Sequence, residues 1–378
     1  MDNKLAIDNH NIISTENAIE IIKTSALSLK NNHDLAFMIP SILLRGAPGV
    51  GKSSIVRAVA DELKIGFVDV RLAQMERVDV CGLPSVHDGM TEWNVPSFWP
   101  RDPNSNGIIF FDEITSAPAD VQVAAYSIIL DRKIPNSNYK LPDGWLIVAA
   151  GNRACDRAVV KTLSSALANR FVHFEIEANV KDWIDWAVQH DISPAVTGFV
   201  QYRPGYLFTM DKQNLEQGWP SPRSWERVSN MISMFADNDE LMQKIVFGLI
   251  GPAVGVEFLA FYKINKQFDN VLEVLTNPKA AVKIPTRSDE KHAYVSAVVY
   301  HLWRGTNAAD QKRRVDGFFR IANELSNDFC TMIAKAAMQG NATVKSIDAM
   351  KMLMTHKSYK ALSERFTAEM KSKLKCKI

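Results

Sequence analysis

The sequence predicts an α/β fold, a parallel sheet covered by helices on both faces, with an all-helical second half. Three observations predict it. Short apolar runs that suit buried strands alternate with stretches of helical spacing between residues 41 and 176. A glycine-rich loop joins the first of these runs to the helix after it. From Val180 onward the strand pattern stops and helical spacing continues alone.

Taken in order, residues 14–29 read as a helix, with Ala18, Ile21, Ile22, Ala26 and Leu29 along one face and Ser14 or Thr15 as its N-cap. Ser41–Arg45 (SILLR) is a buried strand, and Ile55, Val56, Val59 and Leu63 give residues 54–63 helical spacing. Residues 66–72 (GFVDVRL) alternate as a second strand. The connection over 73–103 holds Gly82, Pro84, Gly89, Pro96 and Pro100 and exceeds ordinary loop length, so it should carry small elements of its own. Residues 89–93 and 95–99 are expected to pair there as an inserted hairpin.

Residues 107–111 (GIIFF) are the most strand-like run in the chain and lead into Asp112 and Glu113. A helix over 120–130 follows, then a turn-rich hairpin over 133–144 containing Pro135, Asn136, Asn138, Pro142 and Gly144. A strand over 145–150 ends in Gly151 and Asn152, a helix is expected over 159–168, and Phe171–Ile176 (FVHFEI) is the last strand. Beyond it, residues 183–189, 195–202, 225–235 and 241–249 read as helices, and so does most of 282–378. There Phe318, Ile321, Ala322, Leu325, Phe329, Met332 and Ile333 form a stripe that reads as ordinary core. The expected organisation is an α/β domain over 1–177, a helical lid over 178–275 and a helical C-terminal extension over 276–378.

With 378 residues the chain can bury a full core. Its net charge of +2 is too near neutral to imply a nucleic-acid partner by itself. Cys81, Cys155, Cys330 and Cys376 lack C-x-x-C or metal-ligand spacing, which points to reduced thiols in a cytosolic compartment. The first residues lack the apolar core of a signal peptide, and no apolar run reaches the roughly 18 residues of a membrane span. A cytoplasmic protein with no membrane partner is expected. The Lys-rich stretch over 351–378 reads as a solvated helical face, or else as a contact for nucleic acid or an acidic partner.

The chemistry gathers around residues 46–53, GAPGVGKS, which fit the G-x-x-x-x-G-K-[ST] pattern of a P-loop. Over Gly46, Ala47, Pro48, Gly49, Val50 and Gly51 the glycines let the backbone curl so that N–H groups of the loop face phosphate oxygens. Lys52 would reach the β- and γ-phosphates, the Ser53 hydroxyl would ligate Mg²⁺, and Ser54 continues the helix whose N-terminus acts on the same anion. The expected ligands are therefore ATP and Mg²⁺. Four apolar residues running into Asp112 and Glu113 would deliver one carboxylate to the metal and the other to an attacking water. Asn152, at the end of a neighbouring strand, suits a bond to that water or to the γ-phosphate; the alternative is simple turn geometry. Arg170 precedes the strand at Phe171, at the far end from the carboxylates, where it suits a neighbouring subunit's phosphate better than its own. Arg223, in SPRSW, sits before a helix of the second half and suits the γ-phosphate of its own chain. Surface ion pairing is the alternative for both arginines.

In this order and spacing, GAPGVGKS, IIFFDE, VAAGN, SALANRF and SPRSW resemble the Walker A, Walker B, sensor 1, arginine-finger and sensor 2 elements of AAA+ ATPases, and among them the MoxR-like branch. The resemblance covers about residues 11–235. It implies Lys52 and Ser53 as nucleotide and Mg²⁺ ligands, Asp112 as holder of the metal, Glu113 as the residue polarising water, Asn152 as sensor 1, Arg170 acting in trans and Arg223 in cis. Arg153 and Arg157 are further interface candidates. It also implies a hexameric ring that remodels a protein client, with moving loops sought at 79–84, 89–99 and 133–144, and a separate partner carrying a von Willebrand factor A domain. Two other readings compete with this one: a motor subunit acting on nucleic acid, and a nucleotide-gated scaffold with little turnover.

Overall fold

The computed structural model describes residues 11–153, 163–210, 217–268 and 270–366. The chain forms two compact units, Met1–Glu177 and Ala178–Ile378. Among the described residues, no helix is long and apolar enough to cross a membrane. Cys81 and Cys330 are buried free thiols, whereas Cys155, Cys376 and Arg157 lie outside the described residues.

The first unit is built on a six-stranded sheet. Its strands are β1 (Ile12–Ile13), β2 (Ser41–Arg45), β3 (Gly66–Arg71), β6 (Gly107–Asp112), β7 (Trp145–Gly151) and β8 (Phe171–Ile176) in the order β1-β8-β2-β7-β6-β3. Every pair is parallel. Apolar runs form these strands because both faces of the sheet are covered. Leu43, Ile109, Phe111, Ile147 and Ala149 pack with Val121, Ala125 and Ile128 of the Ala119–Asp131 helix. Their neighbours Ile42, Leu44, Ile108, Phe110 and Val148 point the other way and are equally buried. The helices Thr15–Asn31 and Lys52–Leu63 contact the sheet through β7 and β6.

The first helix begins as its sequence requires, with the Ser14 side chain accepting the Asn17 N–H. The short strand β1 before it was not expected; it extends the sheet beside the end of β8 through Ile12↔Glu175 and Ile13↔Ile176.

The long connection carries a hairpin, but not between the expected arms. Strand β4 (Leu83–His87) pairs antiparallel with β5 (Met90–Asn94), from Leu83↔Asn94 to His87↔Met90. Residues 95–99 take no part. Asp88 (φ 48°) and Gly89 (φ 76°) form the two-residue turn, both in the left-handed region that an Asp-Gly pair tolerates. Pro96 lacks a donor N–H, which disfavours the expected second arm. The connection is anchored by Trp99, which is 1% exposed, packs at a tilt against the rings of Phe98, Phe111 and Tyr139, and donates its indole N–H to Val80 O at 3.0 Å. Residues 133–144, expected as a turn-rich hairpin, double back on a single antiparallel bridge, Lys133↔Lys140. Of the helix expected over 159–168, the described part is Ser165–Ala168, capped by Ser164; residues 159–162 lie outside the described residues.

The second unit is helical throughout its described residues. Trp183, Phe199, Trp225 and Phe258 centre one apolar cluster. Val271, Leu275, Val298, Phe318, Ile321 and Ile333 belong to another. The helix Ser288–Leu302 is buried all round over Ala293–Val299 and serves both, with Ala293 in the first cluster and Tyr294, Val295 and Val298 in the second. Residues 178–275 and 276–378, expected as a helical lid and a helical C-terminal extension, both lie in this unit. Residues 367–378 of the Lys-rich tail lie outside the described residues.

Candidate functional site

Parallel strands deliver their C-terminal ends to one edge of the sheet, and there the first unit collects its polar residues. The loop over 46–51 leaves β2 at this edge. Gly49 (φ 85°) and Gly51 (φ 98°) take backbone angles that a side chain would strain. Gly46 is required for a different reason: a Cβ there would lie 2.5 Å from Ile176 O. The helix Lys52–Leu63 then starts at Gly51 with no side-chain cap, so the amides of its first turn are not satisfied by a capping side chain. Ala47 and Val50 are buried, Pro48 half-buried and Ser54 exposed.

Lys52 is buried at 9% exposure. Its ammonium donates to Gly46 O at 2.7 Å, to Ala47 O at 3.1 Å and to Asn152 Oδ1 at 3.2 Å. Ser53 Oγ donates to Asp112 Oδ2 at 2.8 Å, while the other oxygen of Asp112 accepts the N–H of Glu113 at 2.9 Å. Glu113 is exposed and has φ 56°, a left-handed backbone rare for a residue with a side chain. Thus residues expected from three separate motifs meet in two hydrogen-bonded pairs, Lys52 with Asn152 and Ser53 with Asp112, with Glu113 adjoining the second. Among the described residues no cluster of three or more His, Cys, Asp or Glu could hold a metal ion.

Arg170 is exposed just before β8, whose Phe171 pairs with Ser41 at the start of β2, about 13 Å along the strands from the loop edge. Arg153 pairs with Glu175 at 2.7 Å and Glu177 at 3.4 Å within its own chain. Arg223 is exposed near the start of the Pro222–Met234 helix in the second unit.

Two residues of this edge escape a reading by motif. Thr115 is 2% exposed and its Oγ1 accepts the N–H of Asn152 at 3.1 Å. Gln122, 7% exposed, donates its Nε2 to Ile114 O at 3.1 Å and Ala117 O at 3.3 Å, fixing the turn after Glu113. The available signal was Gly151 next to Asn152: a Cβ at that glycine would sit 2.5 Å from Thr115 Cγ2, so its small size admits Thr115.

Fold and site together define the class as a P-loop α/β domain. Residues 41–171 match the family model of the AAA domain, dynein-related subfamily. Among individual proteins, the chain is similar to the Lon protease of Mycoplasmopsis agalactiae, 27% identical over 143 residues that cover 38% of this chain and 14% of that protein. It is similar also to the peroxisomal ATPase PEX6 of Dictyostelium discoideum, 25% identical over 285 residues, 66% of this chain and 22% of that protein. The chain thus spans less than a quarter of the length of these curated relatives. Among solved structures, a mutant of Thermotoga maritima RuvB aligns with 70% of this chain and 78% of its own at 18% identity and a TM-score of 0.40. NtrX from Brucella abortus, in complex with ADP, aligns with 79% of this chain and 64% of its own at 15% identity and a TM-score of 0.36.

Proposed function

We propose that this chain is an ATP-hydrolysing, MoxR-like AAA+ ATPase that assembles as a homo-oligomeric, hexameric ring in the cytoplasm and remodels a protein client. The observation that carries the reading is the convergence of Lys52, Ser53, Asp112 and Asn152 at one sheet edge, beside an uncapped helix N-terminus. That donor set fits a polyphosphate. The loop amides and Lys52 would hold the β- and γ-phosphates, with the ammonium exchanging its bonds to Gly46 O and Ala47 O for phosphate oxygens.

The Ser53 hydroxyl and the Asp112 carboxylate, in contact at 2.8 Å, suit Mg²⁺, which keeps several waters and takes few protein ligands. Bound there, Mg²⁺ would neutralise charge on the phosphate oxygens. Glu113 would orient and polarise the attacking water and Asn152 would hold that water or the γ-phosphate, a task of positioning more than of covalent chemistry. Arg170, at the opposite end of the strands, is assigned to a neighbouring subunit's phosphate, and Arg223 to its own chain's. Arg153 and Arg157 are secondary candidates for the contact between subunits. Similarity to a peroxisomal ATPase supports ATP turnover, and similarity to a protease supports a protein client. A separate protein with a von Willebrand factor A domain is the proposed partner.

Light scattering on a sizing column with and without ATP, combined with ATPase rates on the same sample, tests the reading. A nucleotide-dependent hexamer stimulated by a protein partner is expected. Stimulation by single-stranded or duplex DNA would replace it with a nucleic-acid motor, and tight ATP binding without turnover would leave a scaffold.

A further inference from the structure

We infer that Thr115 is a positioning residue, which locks the turn carrying Glu113 to the backbone of Asn152 so that the water-orienting carboxylate and the γ-phosphate-facing amide move as one piece. The inference rests on the ATPase reading above. It starts from a break in the sheet. β6 ends at Asp112, and the chain leaves it through a left-handed Glu113, a conformation that costs free energy and must be held by its surroundings.

Three contacts hold it. Ile114 N–H donates to Ala150 O at 3.0 Å, tying the chain to β7 two residues past the end of β6. Thr115 Oγ1 accepts the Asn152 N–H at 3.1 Å, with its side chain packed over Gly151. Gln122 closes the turn from the helix side through Ile114 O and Ala117 O. Asn152 in turn accepts from the Lys52 ammonium through Oδ1. One path of hydrogen bonds therefore runs from Gln122 through the turn and Thr115 to Asn152 and Lys52, with Glu113 inside the clamped turn. Thr115 and Gln122 are both buried and neither is expected to touch nucleotide. Their effect on turnover would pass through the placement of Glu113 and Asn152.

Thr115→Val keeps the shape of the side chain and removes the acceptor. The expected result is a kcat for ATP lowered about tenfold or more, with KM changed by less than about threefold. Equilibrium binding should show the preference for ATP over ADP reduced by about tenfold, because Asn152 no longer has a fixed place. Thr115→Ser returns the hydroxyl and is expected to restore kcat and the binding preference. Gln122→Met leaves Thr115 intact, frees the turn from the other side and should lower kcat in the same direction, so it decides the matter if Thr115→Val does not fold. Wild-type kcat and ATP preference in Thr115→Val, a loss that Thr115→Ser does not restore, or full kcat in Gln122→Met would each overturn the inference. A wild-type chain that binds ATP without turnover would sink the hydrolase reading alone, since the binding preference still reads the role of Thr115.

Discussion

The Ser53 hydroxyl donates to Asp112 Oδ2 at 2.8 Å, tying the first turn of a helix to the last residue of a strand 59 positions away. The pair is pre-formed at the mouth of the loop, where a divalent cation could take both oxygens with little rearrangement. Ser53→Ala removes one of the two. The expected outcome is a Mg²⁺ concentration for half-maximal ATPase activity raised about tenfold or more, read from a metal titration at saturating ATP. Asp112→Asn should act in the same direction. An unchanged titration for both variants would remove the metal from this pair.

Glu113 and Arg170 are both exposed, but they stand at opposite ends of the parallel strands, and the two ends predict different behaviour in mixed assemblies. Glu113→Gln should keep ATP binding and lose turnover, since the amide holds a water without drawing its proton. Arg170→Ala should also bind and fail to turn over, by a factor of about 10³ or more if it acts as a finger. Mixing the two variants distinguishes cis from trans. Where an intact Glu113 faces an intact Arg170 from the neighbour, some turnover returns; if mixing restores none, Arg170 acts on its own subunit or not at all.

Much of the first unit could be read in the sequence because its signals are local. A buried parallel strand must be apolar along its length, so SILLR, GIIFF and WLIVAA announce β2, β6 and β7 without reference to their partners. The 46–53 loop, Asp112 and Asn152 stand out as candidates for the same reason, since each lies at or just past the end of such a run. What was missed depends on partners distant in sequence. The two-residue strand β1 exists only because β8 offers it an edge. The hairpin expected between 89–93 and 95–99 lies instead across the Asp88-Gly89 turn, between Leu83–His87 and Met90–Asn94, because an Asp-Gly pair accepts the two left-handed residues that the turn needs. Thr115 looks like one more polar residue in a loop until Gly151 is brought against it. The shared core of the second unit is likewise invisible in the stripe from Phe318 to Ile333, which the structure divides between the helices Ala308–Glu324 and Asn327–Met338, since that core also needs the buried stretch Ala293–Val299 of a third helix.

That shared core has a tight point. A Cβ on Gly317 would meet Leu275 O at 2.1 Å and Leu275 Cα at 2.6 Å, so the Ala308–Glu324 helix approaches the Val271–Thr276 helix closely enough to exclude any side chain. Gly317→Ala should gain about 1 kcal/mol in helix propensity and lose about 2–3 kcal/mol or more by forcing backbone apart. The net expectation is a lower melting temperature, measured by calorimetry, with the assembly of the first unit's hydrogen-bonded site unchanged. A variant as stable as wild type would mean that the two helices separate without cost.

The start of that same helix gives a prediction in pH. Asn307 caps it by accepting the N–H of Asp310, while Asp310 Oδ2 accepts the Thr306 N–H at 3.1 Å and Arg314 Nε at 3.0 Å. The Thr306 N–H, with Arg314 beside it, holds the Asp310 carboxyl below its ordinary value of 3.8. The native state therefore releases this proton more readily than the unfolded chain does. Its contribution to stability is present in full above the ordinary value and is lost as pH falls through the depressed native one. Asp310→Asn should accordingly melt below wild type at neutral pH, with the gap narrowing on acidification, in thermal scans taken from neutral down to about pH 2. A gap that stays constant across the acid range would show that Asp310 acts through its shape and hydrogen bonds alone, with no contribution from its charge.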